Sequence, residues 1–168
     1  ASNSNSANSN TAEAGVKDGT LTVLQVLPRL ETGGVERGTV DVTEAIVRAG
    51  WRAVVASGGG TMVHEVERAG GLHVTMPIFS KSPLVMRANI RRLEKLIREH
   101  DITIVHARSR APAWSARAAA RRTGAHFVTT FHGTYNESNT VKRRYNSIMA
   151  KGERVIAISE FIADRVIS

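Results

Sequence analysis

The sequence of 168 residues contains no cysteine, and aromatic residues make up only 5% of it. Without cysteine there can be no disulfides and no thiolate metal ligands, a composition that suits the cytoplasm. The shortage of aromatics removes the stacking platforms on which single-stranded nucleic acids are held, and no recognition-helix motif is present. No run approaches 18 apolar residues, so no helix is expected to span a membrane. The N-terminus lacks the apolar stretch of a signal peptide. The histidines are scattered, without the His-x-x-x-His spacing of a metal site. No Gly-x-Ser-x-Gly elbow occurs, which argues against an α/β-hydrolase.

What is present is positive charge and an alternating apolar pattern. The net charge is +8, which points to an anionic partner: nucleic acid, an anionic membrane surface or a phosphorylated ligand. Residues 1–10 are almost entirely Ser and Asn, and residues 1–19 read as a flexible leader without function. Residues 20–168 read as one domain. Short apolar runs predict strands over Leu21–Leu27, Arg52–Ala56, Leu72–Ile78, Ile102–His106, His126–Phe131 and Arg154–Ile158. Helical spacing fills the intervals: Val35 to Ile46, Met62–Ala69, Pro83 to His100, Pro112–Arg122 and Ser138–Ala150. Ser159 is placed to cap a last helix. Six strands alternating with helices imply a Rossmann-like three-layer α/β/α domain with a mostly parallel sheet. Ligands of such sheets bind at the carboxyl ends of the strands, near the switch in strand order.

The strand-end loops supply the candidates. Gly33-Gly34 precedes a helix, where backbone N–H groups and the helix dipole can receive an anion; the pair also reads as no more than a tight strand-to-helix turn. The dinucleotide fingerprint fails on spacing, and the second strand ends in Ala56-Ser57-Gly58 without an acid. The P-loop fails because Thr39 follows Gly38 with no lysine. His132-Gly133 follows the fifth strand, where a histidine can bond a substrate or shuttle a proton, or simply pack. His106 ends the fourth strand and reads as a buried, hydrogen-bonded residue. Basic residues cluster at Arg108, Arg110, Arg117, Arg121 and Arg122, and again at Lys142, Arg143, Arg144, Lys151 and Arg154. Beside the second cluster, Val141, Tyr145, Ile148 and Met149 form an apolar stripe. Such a helix can lie on an anionic membrane, or its stripe can pack on the sheet and leave the charges solvated.

Taken in order, four segments resemble the N-terminal domain of GT-B glycosyltransferases of the family 4 type. They are Val26-Leu27-Pro28 running into Thr32-Gly33-Gly34-Val35-Glu36-Arg37; Ile104-Val105-His106-Ala107-Arg108-Ser109; Thr129-Thr130-Phe131-His132-Gly133; and Val155-Ile156-Ala157-Ile158-Ser159-Glu160. The resemblance covers about residues 20–168. It implies half of a two-domain enzyme: the acceptor side, facing across a cleft a C-terminal domain that holds most of a nucleotide-sugar and carries two glutamates spaced seven apart. It implies that Gly33 and Gly34 sit by the donor phosphates and the acceptor, and that His132 contacts the transferred sugar or the acceptor hydroxyl. Glu36, Arg37, Ser109, Gly133, Ser159 and Glu160 fall in the same motifs as donor or acceptor contacts. It further implies retention of anomeric configuration, no metal or other cofactor, and work on lipopolysaccharide, capsule or glycolipid at the cytoplasmic face of the inner membrane. Arg108 departs from the pattern, because many relatives carry a second histidine there; its planar fork suits an anionic acceptor group or a phosphate. The rival readings are a Rossmann-like module that holds an anionic ligand without chemistry, and a fragment of a GT-B-shaped sugar-nucleotide epimerase. Nucleic acid is not expected as a partner.

Overall fold

The computed structural model describes residues 19–133, 139–160 and 162. Six parallel strands form one sheet: β1 (Thr22–Val26), β2 (Arg52–Ser57), β3 (Leu72–Thr75), β4 (Ile104–Ala107), β5 (His126–Phe131) and β6 (Arg154–Ala157), in the order β3-β2-β1-β4-β5-β6. The helices are α1 (Gly34–Arg48), α2 (Val63–Arg68), α3 (Pro83–Glu99), α4 (Arg110–Thr123) and α5 (Thr140–Asn146), which runs into a 3-10 helix over Ser147–Lys151. This is the doubly wound arrangement expected of the sequence. Its strand order reverses between β1 and β4, opening a crevice there at the carboxyl ends.

Period-two alternation distributes the core to both faces. Leu24 and Val26 of β1 join Val105, Ala107, Phe127 and Phe131 beneath α3 and α4. Val23 packs with Ile46 of α1 on the other face, where Leu27 and Val55 meet Val40 and Val66. Full burial of each large aliphatic side chain contributes about 1.5–3 kcal/mol. Helix α4 presents Ala113, Ala116, Ala119 and Ala120, all fully buried, to the core. Side chains this short let a helix approach its neighbours closely, and the Ser115 hydroxyl donates to the Met86 carbonyl of α3 at 3.0 Å.

Most element boundaries differ from expectation by one to three residues, and three of the differences have a visible cause. Strand β3 stops at Thr75 rather than Ile78, because Pro77 has no N–H to offer a ladder. The chain instead turns through a bond from Ile78 N to Met76 O of 2.7 Å. Strand β4 begins at Ile104 rather than Ile102, after Asp101 with φ 49°. Ile102 N is taken by Ile97 O at the end of α3, at 2.9 Å. The helix expected over Ser138–Ala150 is α-helical over Thr140–Asn146 and tightens into the 3-10 turn thereafter; Ser138 lies outside the described residues. Asn139 caps α5, its side chain accepting from Lys142 N at 2.8 Å.

Candidate functional site

The chain leaves β1 through a loop held at its base. Leu30, fully buried, donates its N–H to Gly59 O at 2.8 Å, Gly58 N donates to Pro28 O at 2.8 Å, and Met62 N donates to Leu30 O at 2.8 Å. The loop after β2 is thereby stapled to the loop after β1. Gly60 has φ 144°, and the space of a Cβ there is already filled by the Leu30 carbonyl, so glycine is required twice over. The loop then reaches Gly33, the N-cap of α1 in extended conformation, and Gly34, the first helical residue.

No side chain caps α1. Glu36 folds its carboxylate over Gly33, where a Cβ would collide with it, whereas a Cβ on Gly34 would meet nothing within 4 Å. Helix α4 begins at the neighbouring strand end with Ser109 as N-cap. Its hydroxyl makes no capping bond, and its first turn holds no acid. Two long helices thus present N-terminal N–H groups without a side-chain cap at the point where the strand order reverses. Such ends carry positive partial charge and receive anions.

His132 and Gly133 follow β5, the next strand over. His132 is half-buried, and its Nε2 is buried with no hydrogen-bond partner. Burial, and then the positive charge of Arg108, lower its pKa to about 4. The ring is therefore neutral at pH 7, able to donate to an oxyanion or accept from a hydroxyl according to its tautomer. His106 is buried as expected, with Nε2 2.6 Å from the Thr130 hydroxyl. Burial, then Arg108 and His132, lower its pKa to about 3.

The other expected site residues are dispersed. Arg108 lies in the crevice region, but its guanidinium is buried: the residue is 5% exposed, and Nη1 donates to Gln25 Oε1 at 3.1 Å. The fork expected to face an anion is occupied from within. Arg37 is tied to Glu65 of α2 by an ion pair of 2.7 Å. Ser159 caps the turn after β6, its hydroxyl accepting from Ile162 N at 3.3 Å, and Glu160 beside it is exposed. Gly33, Gly34, Ser109, His132 and Gly133 therefore gather at the ends of three adjacent strands, and Ser159 and Glu160 at the end of the fourth. The apolar stripe of the second basic cluster divides: Ile148 and Met149 are buried, while Val141 is 77% exposed. The buried hydrogen-bond network of Gln25, Thr39 and Thr43 escaped the sequence reading. The available signal was a lone amide within the apolar run Thr22-Val23-Leu24-Gln25-Val26, which demands buried partners.

Two cavities, of about 540 and 250 Å³, open at the opposite, amino-terminal end of the sheet, the larger against Leu21, Ile102, Ile104, Ala125 and His126. None of the residues lining them carries a buried polar atom that lacks a partner, apart from Thr22 in the smaller. Among the described residues no cluster of His, Asp or Glu could hold a metal ion, and no helix is long and apolar enough to cross a membrane.

The sequence profile of Glycosyltransferase Family 4 matches residues 32–168, a span that includes every strand-end motif from Gly33 onward. The chain belongs to glycosyltransferase family 4. A glycosyltransferase from Rickettsia africae ESF-5 is similar to this family 4 chain at 44% identity and a TM-score of 0.77, over 89% of this chain and 39% of that one. Two further structures share the fold alone. MurG of Acinetobacter baumannii is 10% identical with a TM-score of 0.60, over 82% of this chain and 41% of its own. The UDP-GlcNAc 2-epimerase of Methanocaldococcus jannaschii is 10% identical with a TM-score of 0.57, over 88% and 42%. The family 4 chain thus spans about two fifths of the structures it resembles, as one Rossmann-like half of a GT-B fold. No curated protein matches it.

Proposed function

We propose that this chain is the acceptor-side domain of a retaining, metal-independent glycosyltransferase that moves a sugar from a nucleotide-sugar to a glycan or glycolipid acceptor of the cell envelope. One observation carries the reading beyond family membership. A neutral imidazole with an unsatisfied buried Nε2 lies at the same carboxyl-terminal edge of the sheet as two helix N-termini that no side chain caps. A leaving nucleoside diphosphate gains negative charge as its glycosidic bond breaks, and preorganised N–H donors offset that charge most effectively at the moment it develops. The open approach to Gly34 lets a phosphate or acceptor come near the α1 N–H groups. His132 orients the transferred sugar or the acceptor hydroxyl. Ser109, Gly133, Ser159 and Glu160 line the remaining strand ends toward a second domain, which supplies most of the donor pocket.

The basic surface fits an acceptor presented at the cytoplasmic face of an anionic membrane. Exposed Val141 followed by Lys142, Arg143 and Arg144 on α5 joins an apolar contact to positive charge, the combination that favours peripheral binding.

The test is His132→Ala in the enzyme that carries this domain, assayed by sugar transfer from a nucleotide-sugar to membrane-associated acceptor. Turnover is expected to fall by about 100-fold while the thermal midpoint changes little. Full turnover in a folded variant would remove His132 from the site. Release of an epimerised nucleotide-sugar with no transfer would replace the reading with that of an epimerase.

A further inference from the structure

The proposed function leaves one buried group unused. Arg108 fits a notch in α1 at Gly38, where an added Cβ would lie 2.8 Å from Nη2. Its partner Gln25 is fixed in turn, the Gln25 amide donating to Thr39 O at 3.1 Å and to the Thr43 hydroxyl at 3.0 Å. Nε is buried without a partner. Among the described residues no carboxylate forms an ion pair with Arg108; Asp41, exposed on α1, acts on it only through its field.

This arrangement is unfavourable for folding. A buried cation costs free energy unless a carboxylate and further hydrogen bonds satisfy it. Here one neutral amide does so, close to a helix N-terminus, where positive charge is disfavoured. An apolar side chain of similar volume would serve stability as well or better. The position of the charge relative to the site offers a reason for it. Strands β4 and β5 pair Ala107 with Thr129, so alternation puts His106 and Thr130 on one face, and Arg108 and His132 are the next residues of that parity, one step past the two neighbouring strand ends. The His106–Thr130 hydrogen bond confirms that parity.

We propose that Arg108 is a positioning residue of the site, a fixed and buried positive charge that acts on the ligand through His132 rather than by touching it. The proposal rests on His132 being the ligand-facing group. Among the described residues, the charged and titratable groups that bear on His132 are Arg108 and His106, both from the β4 end, and Asp41 of α1 bears on Arg108. Together they present the imidazole to the crevice as a neutral hydrogen-bonding group over a positive floor. Such a pair favours an anionic or hydroxyl-bearing ligand and disfavours a cation. Lysine at 108 would keep the charge without the fork; methionine would fill the notch without the charge.

The experiment is a pH titration of the histidine ring resonances by NMR in this chain, unaltered and as Arg108→Lys and Arg108→Met. The unaltered chain should show a His132 midpoint of about 4. Arg108→Lys should stay near that value, and Arg108→Met should rise by about one pH unit. A His132 midpoint near the ordinary histidine value in the unaltered chain would overturn the proposal. So would an unmoved midpoint in a folded Arg108→Met. If the methionine variant does not fold, Arg108→Gln decides: an unmoved His132 midpoint leaves burial as the whole cause and overturns the proposal, and a rise supports it. The titration reads electrostatics and not turnover, so an active His132→Ala enzyme would refute the catalytic reading of His132 while leaving this result standing.

Discussion

His106 and His132 owe their low basicity to the same two causes, burial first and Arg108 second. Both folded values lie below the ordinary 6.5, so the folded chain binds fewer protons than the unfolded chain as the pH falls below that point. Their contribution to stability is complete above about pH 6.5 and is lost as the pH falls toward 4, by up to about 1.4 kcal/mol per pH unit for each fully coupled group. His132, being half-buried, contributes the smaller share. Denaturant midpoints at pH 7.5 and pH 5 should therefore differ, and His106→Gln should reduce the difference without abolishing it, since His132 and the half-buried His73 are lowered in the same direction. An undiminished slope in that variant would place the titrating groups elsewhere. Gly34 offers the opposite kind of test, because its surroundings are empty. Gly34→Val should leave the unfolding midpoint nearly unchanged and lower kcat/KM for sugar transfer. Unaltered kinetics would mean that the ligand does not approach α1 at this point.

At the scale of elements, the sequence was most legible where physics is local. A helix with an apolar stripe, such as α3, and a strand buried on both faces, such as β1, declare themselves through period and length. What stayed hidden depended on partners distant in sequence. The starts of β4 and the end of β3 are set by hydrogen bonds from α3 and by Pro77, and Arg108 reads as a surface anion binder until Gln25 and Gly38 are seen to enclose it. The candidate site was half legible for the same reason: the strand-end positions of Gly33, Gly34 and His132 follow from alternation, whereas the burial of Arg108 and the pairing of Arg37 with Glu65 do not. Loop geometry also binds the segments after β1 and β2 to each other. Gly60→Ala would force a side chain into the Leu30 carbonyl at an already unfavourable φ. It should cost about 1–3 kcal/mol by denaturant unfolding. Gly59→Ala, where the space is open, should cost less. Equal losses would show that backbone strain alone matters there.

The whole molecule separates its tasks by the two ends of its sheet. Two cavities open at the amino-terminal end, while the carboxyl-terminal end holds the uncapped helix N-termini and the unpartnered imidazole. Strand β6 leaves Val155 and Ile156 exposed at one edge of the sheet, with Ile158 exposed just after it, and Leu72 of β3 is exposed at the other edge; both edges carry apolar surface that the described residues do not cover. The net charge of +8 acts over longer range than any single contact and favours approach by anions over cations. The stapled loops after β1 and β2 bear on how that crevice behaves in time. The Leu30 and Met62 amides lie outside regular strands, yet each donates to a backbone carbonyl of the other loop. Their hydrogen exchange should approach the rate set by global unfolding, while the Gly34 amide, in open surroundings, should exchange quickly. Rapid exchange at Leu30 would reveal a loop that opens by itself. If it is slow, the ordering of this wall of the crevice is completed during folding, and a ligand arriving there should bind with little further loss of chain entropy.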